Sequence, residues 1–411
     1  MPYLRSLAAV LLTAAVAAAA DWPQWLGPNR DSGSSEKVAP WKKDLKPEWK
    51  KAVGEGHSSP VVANGKVYLF TRVGKEDKEA LTAYDAKTGE VAWTFSYDRG
   101  PFTSQFGLGP RATPTVVDGK IYTFGASGML YCIDEVKGKE VWHVDTLKKF
   151  KAKNLGFGMS CSPLVEGDFV LVNVGGEGAS VVAFKKDTGE VAWKALDDKA
   201  SYSSPIATGK GKERQVVFLT AAGLVSLNPT DGSVFWKVPL VDLLNESSTT
   251  PVTVGEVLIS SSVTFGSLGV KLESKDGKPT GTQLWKNASL TCYFSTPVAV
   301  GKDYVYMVNG VLSLTSPVTS TLRCVDVKTG EEKWKKEKIA NYHAALLRTG
   351  DDKLLMLDDK GNLSLLDPSP EGFKELAKSK VCGPTWAHPA LSNGRVYLRD
   401  EKELMCIPVG E

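Results

Sequence analysis

The chain has 411 residues, with 50 lysines and arginines against 47 aspartates and glutamates, for a formal net charge of +3 at pH 7. The lysines are spread over turn-like segments rather than clustered, so the charge pattern gives no support to nucleic-acid binding. The length alone suggests two or three domains, but the internal repeats described below predict one larger body.

Residues 1–20 have the pattern of a secretory signal peptide. Arg5 precedes an apolar run that begins at Leu7, and alanines lead up to Asp21. We therefore expect a cleaved leader and a periplasmic or secreted protein, with no cysteine for lipid attachment after the leader. No other stretch has the roughly 20 uncharged apolar residues that a membrane-spanning helix needs, so the mature chain is expected to be soluble or peripheral.

Residues 21–46 are predicted to form an extended N-terminal arm. Trp22, Trp25 and Trp41 lie there among prolines, with no repeating period. Aromatic side chains in such a segment are expected to pack on a larger body.

A unit that ends in an aromatic residue recurs along residues 47–411. Its clearest copy is LTAYDAKTGEVAW, from Leu81 to Trp93, and a repeat of this kind decides the fold before any local motif. The glycine of Thr-Gly-Glu suits the positive φ of a tight turn, and Asp85 can accept hydrogen bonds from the turn amides. Eight aromatic residues are predicted to dock each unit on its neighbour: Trp49, Trp93, Trp142, Trp193, Trp236, Trp285, Trp334 and Phe373.

A proline-led strand alternates with these aromatic units. Its reference positions are separated by 54, 49, 42, 46, 46, 49 and 43 residues, and they are Pro60, Pro114, Pro163, Pro205, Pro251, Pro297, Leu346 and Pro389. Each unit holds four short runs of β-branched and aromatic residues bounded by Gly, Asn and Asp, which predicts four antiparallel strands joined by hairpins. Eight such units predict an all-β fold, the eight-bladed β-propeller.

The two ends of the chain are predicted to close the ring. After Pro389 the last unit supplies only three strands, and the missing aromatic strand is PEWKKAV, residues 47–53. Pairing these strands leaves no unpaired blade edge. The predicted organisation is a signal peptide at 1–20, an arm at 21–46 and a propeller at 47–411.

The unit A-x-D-x-x-T-G-x-x-x-W, with its proline-led and glycine-turn strands, resembles the tryptophan-docking repeat of the PQQ-like eight-bladed propellers. The resemblance covers about residues 47–411, and the arm sequence WPQWLGPNRD resembles the opening of many exported proteins of this family. The family includes alcohol dehydrogenases that depend on pyrroloquinoline quinone (PQQ) and a branch of BamB type that has no known catalysis.

The resemblance to the BamB-type branch implies a monomeric, non-catalytic protein-binding or scaffold module of the cell envelope, with no cofactor. The alternative is a quinoprotein oxidoreductase that uses PQQ with calcium. The quinoprotein dehydrogenases share an adjacent Cys-Cys disulfide, a tryptophan beneath the quinone, a calcium site and an aspartate base. This chain has no Cys-Cys pair, so we assign no catalytic residue.

The cysteines and histidines do not suggest a metal site. Four histidines are present and none has metal-ligand spacing. Cys132, Cys324 and Cys406 fall in the same strand of different units and are predicted to be small buried hydrophobes, whereas a bridge between Cys292 and Cys382 is conceivable. The segment GGEGAS at 175–180 is predicted to be a hairpin turn, because no helix follows it as in a phosphate loop.

A ring of candidate binding residues follows from the repeat alignment. Three residues before each proline-led reference position, eight side chains are predicted to face one mouth of the central channel: His57, Arg111, Ser160, Tyr202, Ser248, Phe294, His343 and Trp386. The aromatic and cationic members, which are His57, Arg111, Tyr202, Phe294, His343 and Trp386, could hold an anionic or aromatic ligand. Alternatively, these side chains only fill and solvate the mouth.

Long loops are the second candidate surface. They span residues 96–112, 145–161 and 310–321, and the first two carry Phe102, Phe106, Phe150 and Phe157. Long loops with exposed aromatics are typical of partner-binding surfaces. The predicted partners are envelope or secreted proteins.

Overall fold

The computed structural model describes residues 21–310 and 318–409. Its strands form eight separate antiparallel sheets of four strands each, so the predicted all-β, eight-bladed propeller is confirmed. The first strands of successive blades contact one another, as β2 contacts both β6 and β30, and they therefore form the inner ring around the channel.

Each blade runs from an inner first strand to an outer fourth strand. The inner strands are β2 (Val61–Ala63), β6 (Thr115–Val117), β10 (Leu164–Glu166), β14 (Ile206–Thr208), β18 (Val252–Val254), β22 (Val298–Val300), β26 (Ala344–Arg348) and β30 (Ala390–Ser392). The second strands are β3 (Lys66–Arg72), β7 (Lys120–Phe124), β11 (Phe169–Gly176), β15 (Gln215–Thr220), β19 (Val257–Ser262), β23 (Tyr304–Asn309), β27 (Leu354–Asp358) and β31 (Arg395–Arg399).

The outer half of each blade holds the aromatic unit. The third strands are β4 (Lys78–Asp85), β8 (Met129–Asp134), β12 (Ala179–Lys185), β16 (Gly223–Leu227), β20 (Gly266–Lys275), β24 (Ser320–Asp326), β28 (Asn362–Leu366) and β32 (Glu403–Pro408). The outer strands are β5 (Val91–Asp98), β9 (Glu140–Asp145), β13 (Val191–Ala195), β17 (Val234–Pro239), β21 (Lys278–Asn287), β25 (Glu332–Ala340), β29 (Glu375–Lys380) and β1 (Trp49–Ala52).

Ring closure occurs as predicted. Strand β1 pairs antiparallel with β32, with Trp49 opposite Cys406 and Ala52 opposite Glu403. The eighth blade therefore combines the first strand of the chain with its last three. Unfolding of either end would open the ring.

Helix is confined to short segments of the described chain. Helix α1 (Thr146–Phe150) interrupts a segment predicted as loop, and Asp145 caps it by accepting a hydrogen bond from Lys148 N. A single 3₁₀ turn spans Gly211–Glu213. Among the described residues there is no helix of the length and apolar character needed to cross a membrane.

The turn between the third and fourth strands has the predicted chemistry. Asp85 Oδ1 accepts hydrogen bonds from Lys87 N (3.0 Å) and Thr88 N (2.9 Å). Gly89 takes a φ of +71°, and a Cβ there would lie 2.7 Å from the Trp49 ring of the preceding blade. The glycine is therefore required both for the turn and for the close approach of the neighbouring tryptophan.

Six of the eight repeat aromatics donate their indole N–H to a carbonyl of the next blade. Trp93 donates to Glu135 O (3.1 Å) and Trp193 to Pro229 O (3.0 Å), and the other four are Trp49, Trp142, Trp285 and Trp334. Trp236 instead donates to Gln215 within its own blade. The next turn is replaced there by the long hairpin of β20 and β21, whose backbone groups pair with each other.

Residues before the prolines form a belt around the inner ring that the sequence analysis did not identify. The backbone N–H of Ser59 donates to Thr113 Oγ1 (3.2 Å), Thr113 N to Ser162 Oγ (2.9 Å) and Ser162 N to Ser204 Oγ (2.9 Å). His388 N donates in the same way to Ser59 Oγ (2.9 Å) across the closure between the eighth and first blades. The recurring Ser-Pro and Thr-Pro pairs therefore join neighbouring blades.

All six cysteines are buried and unbridged. Cys132, Cys324 and Cys406 are fully covered, as predicted. Cys292 and Cys382 lie in different hydrophobic clusters and form no bridge. The segment at 175–180 is a hairpin between β11 and β12, as predicted.

Candidate functional site

The arm closes one end of the central channel. Trp22 bridges to Val62 of β2 in antiparallel fashion, and Pro23 O accepts a hydrogen bond from Val116 N (2.8 Å). Trp25 Nε1 donates to Thr250 Oγ1 (2.8 Å) from inside the ring. The channel is therefore filled from the end that lies opposite the mouth residues.

Arg30 fixes the arm to the third blade. Its guanidinium is 3% exposed and donates to Ser162 O (2.9 Å) and Pro163 O (2.8 Å). Burial lowers the pKa of Arg30 to about 10, so the group stays charged at neutral pH. The carbonyl groups of the third blade thus hold a buried cation that belongs to the arm.

Two of the predicted mouth residues meet at one carbonyl group. His57 and Arg111 share an acceptor, because His57 Nε2 lies 3.2 Å and Arg111 Nη2 lies 2.8 Å from Phe106 O. Arg111 also donates to Gly109 O (3.0 Å). The loop at 96–112 therefore lies over these two residues.

Aromatic rings of other blades meet across the same mouth. Trp386 packs edge-on against Phe294 at 5.0 Å between centroids and lies parallel to the His343 ring at 6.2 Å. Tyr202 lies on the side of the loop at 145–161, where its hydroxyl accepts a hydrogen bond from Phe157 N (3.2 Å). The structure thus brings Phe294, His343 and Trp386 into one cluster and leaves Tyr202 in a separate one.

The two small residues of the predicted ring, Ser160 and Ser248, form hydrogen bonds with nearby loops. Ser160 Oγ donates to Gly158 O (3.1 Å) and Ser248 Oγ donates to Tyr293 O. These bonds tie the starts of the inner strands to their own or neighbouring loops. Binding of a ligand by any member of the ring stays a prediction.

His343 is the buried member of the ring. It is 5% exposed, its Nδ1 lies 3.0 Å from Ser295 Oγ, and burial followed by the charge of His388 lowers its pKa to about 3. Burial also lowers the pKa of His388, whose Nε2 lies 2.9 Å from Leu346 O. Both imidazoles are therefore neutral in the folded protein at neutral pH.

We expect the stability of the protein to fall as the pH falls below about 6.5. A folded pKa below the unfolded value means that stability is fully present above pH 6.5 and is lost as the unfolded histidine takes up a proton. For His343, with a folded pKa of about 3 against 6.5, the loss between pH 6.5 and pH 5 is about 2 kcal/mol. Urea titrations of the protein and of His343→Gln over this range measure it. If the free energy of unfolding falls equally with pH in both proteins, His343 is not the group responsible. The variant His143→Gln, at an exposed histidine, is the control.

The four loop phenylalanines occupy different environments. Phe102 is 8% exposed beneath Arg111 and is therefore not available to a partner. Phe150 is partly buried against Phe184 of the third blade. Phe106 is 66% exposed and contacts Phe157 with 5.5 Å between centroids. Residues 311–317 of the third predicted loop lie outside the described residues.

Another exposed apolar segment on the mouth face was missed by the sequence analysis. Leu243 is 81% and Leu244 is 46% exposed in the loop between β17 and β18. Asp242 holds this loop by accepting hydrogen bonds from Leu244 N (2.9 Å) and Thr264 N (3.2 Å). No repeat signal marks these leucines, because they follow the aromatic unit in a loop of variable sequence.

The residues present do not fit PQQ with calcium. Within residues 21–310 and 318–409, no group of three or more His, Cys, Asp and Glu side chains could hold a metal ion. The channel is filled from one side by Trp25 and Arg30, and the cavity beside His57 and Trp386 at the mouth is small. We derive no reaction step through the quinone.

Comparison with known proteins assigns the family. A family model described as outer membrane protein assembly factor BamB matches residues 32–113 and 81–336, most of the propeller. The chain belongs to this family. The repeat, the eight blades and the ring closure agree with membership of its PQQ-like propellers.

The individual relatives have low sequence identity to this chain. An outer membrane protein assembly factor BamB of Burkholderia pseudomallei (strain K96243) is 27% identical over 83% of this chain and 81% of its own. The solved structure of BamB from Moraxella catarrhalis superposes with a TM-score of 0.63 at 17% identity, covering 89% of this chain and 98% of that one, which shows the shared fold.

In sequence, the dehydrogenase relatives match a smaller part of this chain. A quinoprotein alcohol dehydrogenase, PedH of Pseudomonas putida, is 28% identical over 44% of this chain and 30% of its own length. Much of that enzyme therefore has no counterpart in this alignment. The family match and the share of the chain that is covered in sequence both favour the BamB branch.

Proposed function

We propose that the protein is a non-catalytic, protein-binding propeller of the cell envelope, with the mouth face as its partner surface. The observation that carries the proposal is the distribution of exposed apolar side chains. Of the ten large hydrophobic residues that are exposed in the described chain, half lie on loops of the mouth face: Phe106, Val241, Leu243, Leu244 and Tyr342. The other five lie on outer strands or an outer turn.

This distribution supports binding rather than chance exposure. Single exposed apolar residues are ordinary on protein surfaces, but several on one face are typical of an interaction site. Leu243 and Leu244 are presented by a loop that Asp242 holds in place, so little ordering would be needed on binding. Family membership supports a partner of the kind its description names, a component of outer membrane protein assembly.

The location is part of the proposal. The leader-like residues 1–20 and the absence of a membrane-crossing helix among the described residues agree with a protein exported through the inner membrane. The proposed role therefore places the propeller on the periplasmic side, where a partner of the outer membrane would be reached.

The test compares two double variants with matched exposure. We expect Leu243→Asp with Leu244→Asp to abolish capture of assembly components from the native envelope fraction, because a charge in a buried apolar contact is costly. Val136→Asp with Val141→Asp is the control, since these valines are 76% and 43% exposed but lie away from the mouth. The captured proteins are identified and quantified by mass spectrometry, and both variants are checked for unchanged melting temperature.

Two results would contradict this function. Equal capture by the two double variants would exclude Leu243 and Leu244 from the partner surface. Uptake of PQQ and calcium by the purified protein, seen as quinone absorbance after re-isolation, would favour the oxidoreductase alternative over the non-catalytic assignment.

A further inference from the structure

One short segment concentrates positive charge. Helix α1 and the residues after it carry four lysines within six positions, and all four are exposed: Lys148, Lys149, Lys151 and Lys153. Residues 148–153 are called the lysine segment below. Its four charges exceed the formal net charge of the whole chain, which is +3. The segment therefore accounts for the net positive charge of the protein.

No acidic side chain neutralises the lysine segment. The sequence has no Asp or Glu between Asp145 and Glu166, and Asp145 is engaged as the cap of α1, where it accepts a hydrogen bond from Lys148 N (3.0 Å). Glu177 is exposed on the neighbouring hairpin of β11 and β12. Within residues 21–310 and 318–409, none of the four lysines forms an ion pair.

A second group of four lysines within six positions has a different setting. It lies on β25, the outer strand of the sixth blade, and consists of Lys333, Lys335, Lys336 and Lys338. Lys335 pairs there with Glu337 (2.7 Å), and Lys336 lies over the Phe373 ring. Exposed lysines on such a strand protect its free edge from pairing with other chains. The lysine segment is not part of a strand, so edge protection does not explain its charge.

The choice of cation in the lysine segment favours a diffuse anionic surface over a protein partner. Protein interfaces are enriched in arginine and depleted in lysine, and every cation of this segment is a lysine. The lysine ammonium is a hydrated point charge on a flexible stem and lacks the bidentate geometry that fits a fixed carboxylate. Clusters of four to eight such charges are typical of sites for anionic lipids.

An exposed aromatic ring accompanies the lysines on the mouth face. Phe106 is 66% exposed, and its ring centroid lies 5.5 Å from that of Phe157. Phe157 belongs to the same loop as the lysine segment and follows Lys153 by four residues. An apolar ring beside basic residues is suited to the boundary between lipid headgroups and acyl chains.

We propose that the lysine segment and Phe106 form a docking surface for a membrane of anionic phospholipids. The lysines supply long-range attraction to the headgroups, and Phe106 supplies an apolar contact that salt does not screen. The proposal goes beyond the proposed function, because it assigns a lipid surface and leaves Leu243 and Leu244 to the protein partner.

Vesicles made of equal amounts of phosphatidylglycerol and phosphatidylcholine are the probe, with vesicles of phosphatidylcholine alone for comparison. Co-sedimentation measures binding to both. We expect half of the protein to bind the anionic vesicles at an accessible lipid concentration on the order of 1 mM, and no binding to the neutral vesicles in the same range. Binding should weaken as sodium chloride is added, because the charges are exposed. This comparison needs no variant.

Two quadruple variants with the same change of net charge identify the surface. Replacement of the four lysines of the lysine segment by glutamine should weaken vesicle binding roughly a hundredfold, since each lysine near an anionic membrane contributes about fivefold. Replacement of the four lysines of β25 by glutamine is the control and should change binding less than about twofold. Phe106→Ser should weaken binding severalfold at low and at high salt. Unchanged melting temperatures verify that the variants fold.

Three results would overturn the proposal: no co-sedimentation with the anionic vesicles, equal binding to both kinds of vesicle, or equal weakening by the two quadruple variants. Loss of captured envelope proteins in the lysine-segment variant, without vesicle binding by the unaltered protein, would assign the lysines to an acidic protein instead. The variant Leu243→Asp with Leu244→Asp should bind vesicles like the unaltered protein. Failure of the membrane proposal is therefore distinguishable from failure of the proposed partner surface.

Discussion

Replacement of Trp193 by alanine is expected to lower the free energy of unfolding by about 3–5 kcal/mol. Its ring is 8% exposed and packs in one cluster with Val216 and Leu227 of the next blade, and its indole N–H donates to Pro229 O (3.0 Å). The alanine variant loses this packing and leaves a cavity between the third and fourth blades. Urea titration followed by circular dichroism measures the loss.

Two glycine variants separate docking from backbone strain. Gly232 has a φ of +74°, and a Cβ there would collide with the Trp193 ring. Gly255 has a similar φ of +60°, and a Cβ there would meet no atom within 4 Å. Both Gly→Ala variants are strained by about 1 kcal/mol, so the additional loss in Gly232→Ala reports the contact with Trp193. Equal losses of unfolding free energy in the two glycine variants, or a small loss in Trp193→Ala, would contradict the docking role of Trp193.

The architecture was predictable because each part of it is determined by residues that are close in sequence. The turn of Asp85 and Gly89 uses its own side-chain and backbone groups. Four similar glycine turns recur along the chain, and with the eight proline-led strand positions they left only one way to count the blades. The closure through Trp49 followed from a last unit with three strands. A repeat whose units contact only their neighbours transmits such local signals directly to the global fold.

The binding surface was only partly predictable because it depends on what the repeats do not share. Alignment of the units placed His57 and Arg111 together at the mouth. The lysine segment was missed, since β25 holds the same number of lysines, and only the fold shows which of the two groups lies on a strand edge and which lies on the mouth face. Leu243 was missed as well, because its exposure is set by Asp242 rather than by a hydrophobic period.

The position of the arm was also not predictable from the sequence. Its tryptophans indicated packing on a larger body, but a segment without a period carries no signal for where it binds. Thr250 Oγ1 accepts from Trp25 at a position where hydroxyl groups elsewhere in the belt accept from a neighbouring blade. At this position the arm therefore supplies the donor that a neighbouring blade supplies elsewhere. Such a difference is recognised only when all eight inner strands are compared.

Replacement of Trp22 by alanine is expected to release the arm from the channel and to lower the free energy of unfolding by about 3–5 kcal/mol. Trp22 is 2% exposed in the cluster that joins the arm to the first and eighth blades. Its backbone exchanges two hydrogen bonds with Val62 (2.8 and 2.9 Å). Urea titration measures the global loss, and hydrogen exchange at Val62 and Val116 reports release of the arm.

The half-buried Trp41 provides the control, because it belongs to the same arm and packs at the margin of the same cluster. Trp41→Ala should cost about 1 kcal/mol, in proportion to its smaller buried area, and should leave exchange at Val62 unchanged. If Trp22→Ala costs no more than Trp41→Ala and exchange at Val62 stays slow, the arm is held by its other contacts. Faster exchange at Val62 with little global loss would instead mean that the ring is stable alone and that the arm can leave the channel, so that an open channel would become accessible from both ends.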